Sequence, residues 1–246
     1  MTGWTQRGAD FLGPTSNDNL GYSVAVNSDG TRIAIGVPRG AGGGSQRGFT
    51  QVFDWNGTTW TQVGSNIDGV SDLDRAGHAV AFSSDASRLV IGTPFDDGAG
   101  NQSGLVQVFD WNGTTWTQVG SDLPGGTTSN EFGRAVAISA DGSRIIAGAP
   151  NPSSANGYVE IYDYNGSTWT LVGSRINGEA ANDRFGQAVA MSSDGSRVAV
   201  GGFLNDGTTS SSNVGHVRVF DYNGSAWTQV GSDIDGEPVG DTQFGT

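Results

Sequence analysis

The sequence predicts an all-β fold: a β-propeller of four-stranded antiparallel blades, with four complete blades and partial strands at both termini. The main observation is a repeat, because QVFDWNGTTWTQVGS occurs at 51–65 and again, letter for letter, at 107–121. Looser copies occupy 160–174 and 218–232, so that the second Trp of the motif recurs after 56, 53 and 58 residues. A repeat of this length is typical of propellers and solenoids, and no segment has the apolar period of a helix.

Each repeat contains four short runs in which apolar residues alternate with polar or small ones. In the last complete repeat these runs cover 186–192, 197–202, 216–222 and 226–231, and we name the four predicted strands A to D. Asp-Gly follows strand A and Asn-Gly follows strand C, and both dipeptides favour the tight turn of a β-hairpin. Four antiparallel strands in each repeat are the organisation of a propeller blade, with an up-and-down solenoid as the alternative.

The repeats also predict where each blade begins and ends within a single domain, 1–246. The four blades are expected at approximately 20–64, 76–120, 132–173 and 185–231. The remaining segments, 1–19 and 232–246, are parts of further repeats, and Gly3–Gln6 has the sequence of a D strand without the rest of its blade. Three arrangements stay open: a segment of a longer array, closure as four blades, or self-association of several chains through the terminal strands.

The composition excludes several classes of function. The chain has 25 acidic residues against 12 Arg, a net charge of −13, and no Lys or Cys. An acidic surface repels phosphate backbones, so no nucleic-acid partner is expected. No apolar run approaches the ~18 residues of a spanning helix, so no membrane insertion is expected. The absence of Cys excludes disulfides and thiol catalysis.

Aromatic residues recur at fixed places in the repeat. One Trp opens each predicted D strand, at Trp60, Trp116, Trp169 and Trp227. Strict repetition predicts packing between blades, where each aromatic side chain buries roughly 150–250 Å². Stacking of sugar rings on exposed aromatic residues is the less favoured interpretation.

The repeat resembles the FG-GAP repeat, which builds the seven-bladed propeller of integrin α chains. Phe132-Gly133 and Gly148-Ala149-Pro150 match the two halves of that motif, and Phe185-Gly186 matches the first half. Leu20 and Ala76 replace the Phe in the first two blades. The resemblance implies a propeller for adhesion or ligand binding, without catalysis, located outside the cell or at the cell surface.

Calcium sites in the FG-GAP family lie in the A–B turn, and this chain departs from them. Each A–B turn offers one carboxylate, at Asp29, Asp85, Asp141 and Asp194. Calcium takes six to eight oxygen ligands, usually with several carboxylates, and here an Arg follows each Asp by three residues. We therefore expect no metal-ligating residues, with calcium kept open as a cofactor, and interpret each Asp as a turn former paired with that Arg.

The strand order predicts which face of the propeller binds ligands. The A–B and C–D turns share one face and are nearly identical between blades, whereas the B–C and D–A connections share the other face and differ. Strand A is innermost, so the residue that follows its first Gly should ring the axis. These candidates for contact with a small polar ligand or anion are Tyr22, His78, Arg134 and Gln187.

The B–C loops add further candidates on the same face. One loop is locally basic, and two others carry Asp or Asn next to Gly, a pattern suited to a surface cation or to sugar hydroxyls but also typical of ordinary turns. These candidates are Arg39, Arg47, Asp96, Asp97, Asn205 and Asp206.

The sequence-based prediction of function is a non-catalytic adhesion or ligand-binding propeller whose partner is a protein or a glycan. The two histidines, His78 and His216, lie in different blades, and no nucleophile elbow or metal-binding His pair occurs, so no catalytic residue is assigned. A structural repeat or assembly module is the alternative. A sialidase-like glycosidase is a remote one, since Ser-x-Asp-Gly resembles the sialidase turn.

Overall fold

The structure is a computed structural model that describes residues 3–126, 128–151, 156–206, 213–236 and 244–245. The described residues form four antiparallel sheets and contain no helix long and apolar enough to cross a membrane. Blade 1 comprises β1 (Ser23–Val26), β2 (Arg32–Val37), β3 (Phe49–Trp55), β4 (Trp60–Gln62) and β5 (Ile67–Asp68). Blade 2 comprises β6 (Ala79–Phe82), β7 (Arg88–Thr93), β8 (Leu105–Trp111), β9 (Trp116–Gln118) and β10 (Leu123–Pro124).

Blades 3 and 4 repeat the same plan. Blade 3 comprises β11 (Ala135–Ile138), β12 (Arg144–Ala149), β13 (Tyr158–Tyr164), β14 (Trp169–Leu171) and β15 (Ile176–Asn177). Blade 4 comprises β16 (Ala188–Met191), β17 (Arg197–Gly202), β18 (His216–Tyr222), β19 (Trp227–Gln229) and β20 (Ile234–Asp235). The prediction of an all-β propeller of four-stranded antiparallel blades is confirmed.

Within each blade the four predicted strands pair in chain order, A to B to C to D. One detail differs from the prediction, because strand D is divided in two. In blade 1, β4 pairs with the end of β3 and β5 pairs with its beginning. Gly64, with φ of +75°, lies between the two parts and bends the chain away from the ladder.

Neighbouring blades approach most closely at paired glycines. Gly148 in strand B of blade 3 lies against Gly186, where blade 4 begins, and a Cβ on Gly148 would overlap the carbonyl oxygen of Gly186. Gly186 also has φ of +93°, a conformation that side chains with a Cβ rarely adopt. The same contact recurs at every blade: Gly36 with Gly77, Gly92 with Gly133, and Gly201 with Gly245.

The hydrophobic core lies between blades rather than within them. Between blades 2 and 3, Val90 and Val106 of blade 2 pack in one cluster with Ile145 and Phe132 of blade 3, all fully buried. Equivalent clusters join blades 1 and 2 and blades 3 and 4. Inner strands of successive blades also contact each other directly, which confirms that strand A is innermost.

The repeated Trp residues are structural, as predicted. The indole nitrogen of Trp169 donates a hydrogen bond of 3.0 Å to the carbonyl oxygen of Val119 in the preceding blade. Trp116 and Trp227 make the same bond to Val63 and Val172. Each Trp therefore links its own D strand to the end of the D strand of the preceding blade.

The Asp residues in the A–B turns are turn formers, but the predicted pairing with the Arg that follows is wrong. Asp29 accepts hydrogen bonds from the backbone nitrogen and hydroxyl of Thr31. Arg32 instead binds Asp54 through two hydrogen bonds of 2.6 and 2.8 Å, because the antiparallel register places these two residues opposite each other. It also donates to the carbonyl oxygen of Ala86 in the next blade.

The N-terminal segment does not form the predicted D strand. Gly3–Gln6 has no strand pairing, and Trp4 is fully exposed, because no strand C lies beside it. The next residues nevertheless occupy the place of a preceding blade: the carbonyl oxygen of Arg7 accepts the indole hydrogen bond of Trp60. At the other end, Gly245 packs on Gly201, while residues 237–243 and 246 lie outside the described part.

The indole hydrogen bond predicts a measurable contribution to stability. Trp169→Phe removes the bond to Val119 and part of a buried ring, and we expect it to lower the free energy of unfolding by about 1–3 kcal/mol. Trp4→Phe is the matched control and should change nothing, because Trp4 is fully exposed. Urea unfolding followed by tryptophan fluorescence measures both, and equal effects of the two substitutions would contradict the assigned role.

Candidate functional site

A small cavity of about 180 Å³ opens at the end of the inner strands of blades 1 to 3. It lies on the face formed by the B–C and D–A connections, the face predicted to bind ligands. Three of its lining residues immediately precede the inner strands β1, β6 and β11. The full lining is Asn19, Tyr22, Pro38, Arg39, Arg75, His78, Phe95 and Arg134.

The cavity is positively charged within an acidic protein. Arg39, Arg75 and Arg134 line it, and no acidic residue does. Glu131 lies behind the wall and pairs with Arg134 at 3.1 Å, which leaves two guanidinium charges without a carboxylate among the described residues. This concentration of positive charge suits a small anion.

Three buried nitrogen atoms at the cavity have no hydrogen-bond partner in the part of the chain that the structure describes. They are Nε of Arg75, Nε of Arg134 and Nδ1 of His78. Buried polar atoms are almost always paired in native proteins, and an unpaired one costs about 1–3 kcal/mol. Their convergence on one cavity therefore marks a place where a bound group would complete the hydrogen bonding.

His78 is neutral in this environment. Its ring lies 4.6 Å from that of Tyr22 and 6.0 Å from that of Phe95. Burial, together with the positive charges of Arg134 and Arg75, lowers the pKa of His78 to about 3. At neutral pH, the imidazole can therefore accept a proton or a hydrogen bond without first losing a proton of its own.

The turns before the inner strands of blades 1 to 3 place Tyr22, His78 and Arg134 at the cavity. The backbone nitrogen of Tyr22 donates to the carbonyl of Asn19, and that of Arg134 donates to the carbonyl of Glu131. Asn19 and Glu131 both have positive φ, 60° and 52°. In blades 1 and 2 a second position of the turn, Asn19 and Arg75, also lines the cavity, whereas Glu131 in blade 3 does not.

Four predicted site residues meet here: Tyr22, His78, Arg134 and Arg39. The sequence analysis missed Arg75, Asn19 and Phe95, and the guanidinium of Arg75 stacks at 4.6 Å on the ring of Phe95. The sequence did contain a signal for Asn19 and Arg75. Both residues lie two positions before the first Gly of strand A, and this position, like the one after the Gly, is polar and differs between blades. Their functional role stays a prediction.

Four other predicted residues lie away from this cavity. Gln187 precedes the inner strand of blade 4 and is not part of the lining. Arg47 pairs with the exposed Asp72 at 3.1 Å. Asn205 donates to Asp183 at 2.8 Å, and Asp206 is exposed.

Asp96 and Asp97 line a larger cleft of about 680 Å³ on blade 2, together with Asp122 and with Val70 of the connection between blades 1 and 2. Hydrogen bonds already engage these carboxylates. Asp96 accepts from the backbone of Gly98, Asp97 accepts from that of Gln102, and Asp122 accepts from two Gln amides. The cleft lacks the unpaired groups that distinguish the basic cavity.

One pair of buried carboxyl groups lies behind this cleft. Asp74 is 1% exposed and Asp96 is 6% exposed, and their side chains are hydrogen bonded to each other. Blade 4 has Asp183 and Asn205 at the same positions, where the amide supplies the proton. In blade 2 the proton of this hydrogen bond must come from one of the two carboxyl groups. Burial, together with the charges of Asp96 and Asp97, raises the pKa of Asp74 to about 6.

A group of metal-ligand type occurs in blade 4, where Glu179, His216 and Asp233 lie within 4.8 Å of one another. Arg218 lies among them, 3.5 Å from Asp233 and 3.8 Å from Glu179. Its guanidinium already neutralises both carboxylates and would repel a metal ion. Calcium binding by this chain, and a protein or glycan partner, stay predictions.

Comparisons with known proteins identify the fold only. No family model and no curated protein sequence match the chain. Solved propellers do: the periplasmic gluconolactonase PpgL of Pseudomonas aeruginosa matches 94% of this chain with a TM-score of 0.63 at 16% identity. A Bacteroides uniformis protein provisionally assigned as a 6-phosphogluconolactonase matches 95% with a TM-score of 0.58 at 14% identity. Hydrazine synthase from Kuenenia stuttgartiensis matches 92% with a TM-score of 0.56 at 14% identity.

The chain spans 53–60% of the length of these solved structures. The predicted membership of the FG-GAP family is wrong, because no family model matches and none of these propellers is an integrin chain. The physical reason is that the motif residues are packing requirements: Phe132 and Phe185 are fully buried, and Gly148 must contact Gly186. Phe and Gly can therefore occur at these positions in any propeller with this blade spacing.

The predicted non-catalytic adhesion or ligand-binding function and the absence of enzyme activity are corrected for the same reason. Both rested on the FG-GAP resemblance, whereas the matched propellers include a gluconolactonase and a protein provisionally assigned as a 6-phosphogluconolactonase. The absence of a catalytic motif in the sequence was also a weak argument. A propeller assembles its axial cavity from separate blades, so His78 and Arg134 meet although 56 positions separate them.

The carboxyl pair predicts a pH-dependent stability. In the folded chain Asp74 keeps its proton up to about pH 6, whereas in the unfolded chain Asp74 loses this proton near pH 4. The contribution of Asp74 to stability therefore falls as the pH rises through this interval. Asp74→Asn supplies the missing donor permanently. We expect the variant to be more stable than the wild type at pH 8, by about 1–2 kcal/mol after allowance for solvent screening, with the difference shrinking at pH 4.

Urea unfolding at pH 4 to 8 measures this difference. Comparing variant with wild type cancels the opposite trend from His78, whose lowered pKa makes the folded state lose stability as the pH falls below about 6.5. The exposed Asp206→Asn is the control and should show no such dependence. A wild type that is the more stable of the two at pH 8 would refute the shared proton.

Proposed function

We propose that the chain carries the substrate site of a lactonase-type hydrolase that acts on a small anionic cyclic ester. The observation that carries this proposal is the convergence of three unpaired buried nitrogens, from Arg75, Arg134 and His78, on a cavity with an excess of positive charge. The gluconolactonase and the protein provisionally assigned as a 6-phosphogluconolactonase support the reaction class, since their propellers have this fold.

The substrate class follows from charge and size. A cavity of about 180 Å³ accommodates one sugar-sized ring, or part of one. The guanidinium groups of Arg39, Arg75 and Arg134 favour a phosphate or carboxylate substituent, because planar guanidinium groups bind such oxygens in pairs. A phosphorylated sugar lactone satisfies both requirements.

The proposed reaction needs only the chain and water. Nδ1 of His78 accepts a proton from a water molecule as its oxygen attacks the ring carbonyl carbon. The carbonyl electron pair moves to the oxygen, where the Arg134 guanidinium stabilises the negative charge. The ring C–O bond then breaks, the leaving oxygen takes the proton from the imidazolium, and a hydroxy acid results with His78 neutral again.

An anionic substrate would also raise the pKa of the proposed base, His78. In the empty cavity the pKa of His78 is about 3, too low for efficient proton abstraction at neutral pH. A bound phosphate opposes the charges of Arg75 and Arg134 that help to lower this pKa, and so raises it toward the working range. The proposed site therefore favours catalysis on charged substrates over neutral ones.

An extracytoplasmic location is part of the proposal. It agrees with the periplasmic origin of the matched gluconolactonase, and the finer assignment to the cell surface has no independent support.

Hydrolysis of 6-phosphogluconolactone and of gluconolactone, followed as acid release at constant pH above the uncatalysed rate, tests this function. We expect the phosphorylated lactone to be the better substrate. Arg75→Gln should lower kcat/KM about 10- to 100-fold, since one charge-assisted hydrogen bond contributes about 1.5–3 kcal/mol. Arg47→Gln is the matched control and should leave the rate unchanged, because Arg47 pairs with Asp72 away from the cavity.

Two further measurements separate binding from catalysis. His78→Gln should abolish turnover but retain binding of inorganic phosphate, measured by calorimetry. Absence of both turnover and phosphate binding in the wild type would overturn the proposal. Phosphate binding without turnover would overturn the hydrolase assignment and retain the anion site.

A further inference from the structure

Each internal blade interface joins two different faces. We call the face turned toward the preceding blade the front face and the opposite one the rear face. In the interface between blades 1 and 2, Val80 and Leu89 of the front face of blade 2 pack against Ala34 and Val52 of the rear face of blade 1. The other two interfaces use the same positions of the repeat.

Among the described residues, one front face and one rear face have no partner blade. On the front face of blade 1, Val24 and Val26 are 68% and 61% exposed, although Val80, at the position of Val24 in blade 2, is 8% exposed. On the rear face of blade 4, an apolar groove of about 200 Å³ is lined by Ala190, Ala199 and Val217 among others. These two surfaces are the complementary halves of an interface that the chain already forms three times.

The polar contacts are unmatched in the same way. Arg32, Arg88 and Arg144 each reach forward to a carbonyl oxygen in the next blade, at Ala86, Gly142 and Gly195. Arg197 has no next blade to reach, and its side chain is 56% exposed against 14–15% for the other three. The carbonyl of Gly30, at the position of Ala86 in the repeat, is the matching acceptor on blade 1.

The A–B turns show a second unmatched contact. The backbone nitrogen of Ser28 donates to the carbonyl of Ser84, that of Ser84 to Ala140, and that of Ala140 to Ser193. This chain of hydrogen bonds ends with the nitrogen of Ser193 on blade 4 and begins with the carbonyl of Ser28 on blade 1. Donor and acceptor thus remain on opposite ends of the same molecule.

Both free faces already bind short blade-like pieces of the chain. Gly8 packs on Trp60 at the front of blade 1, as Gly64 packs on Trp116 at the front of blade 2. At the rear of blade 4, Gly245 packs on Gly201. The faces therefore accept the end of a D strand and the start of an A strand. A second copy of this chain carries both, in Val230-Gly231 and Leu20-Gly21, which would take the places of Gly8 and Gly245.

We propose that two copies of this chain associate head to tail, the front face of blade 1 of each docking on the rear face of blade 4 of the other. Front and rear faces on one molecule are complementary, so two equal contacts close a ring of eight blades. Arg197 of one copy then reaches Gly30 of the other.

Light scattering coupled to size-exclusion chromatography tests the association across a concentration series. We expect about 51 kDa, twice the 25.3 kDa of one chain. Because each copy carries a net charge of −13, raising NaCl from 0.05 to 0.5 M should shift the equilibrium toward the dimer. A monomer under all these conditions, or any other mass, overturns the proposal.

Variants of the two faces separate this contact from other dimers. Val24→Arg and Ala190→Arg replace exposed residues, so each should leave the fold intact, as circular dichroism checks, and each should give a monomer. Mixing the two variants leaves one unaltered front face and one unaltered rear face, so a dimer containing both should form again. Val70→Arg, at an exposed Val away from both faces, is the control. A dimer that survives either face variant, or a mixture that stays monomeric, refutes the head-to-tail contact.

Discussion

The close approach of glycines between successive blades is the constraint on which the rest of the structure depends. A side chain on Gly148 would overlap the carbonyl of Gly186, so the inner strands can meet only if both positions lack a Cβ. This spacing brings the aromatic and aliphatic side chains of neighbouring blades into contact and lets the indole of Trp169 reach the carbonyl of Val119. The hydrophobic core therefore lies between blades, and a single blade would bury little of it.

The same geometry builds the candidate site. Identical backbone turns at the start of each inner strand present equivalent positions to the axis, and the chain places a different side chain at each. Tyr22, His78 and Arg134 are thus brought together by three separate repeats. Sites of this kind carry no local sequence motif, because the residues that act together are about one repeat apart and are joined only by the curvature of the array.

Departures from strict repetition have a cost in stability where they leave buried polar groups without the partners that the other blades supply. Asp96 replaces the amide that Asn205 provides in blade 4, and it forces a shared proton on Asp74. Unpaired nitrogens at the basic cavity are a second departure. The exposed Val24 and Arg197 differ in kind, since their sequences follow the repeat and only the neighbouring blade is missing.

The sequence by itself determined the all-β class, the four blades and the strand order, because these follow from local alternation, turn residues and an almost exact repeat. It also placed Tyr22 and His78 close together, since the start of an innermost strand must lie near the axis. Only the tertiary structure decided that Arg75 joins them, that Arg32 pairs with Asp54 rather than with its turn, and that Gly3–Gln6 lacks a strand partner. These features depend on which residues face each other across strands and blades, and distance along the chain does not record that.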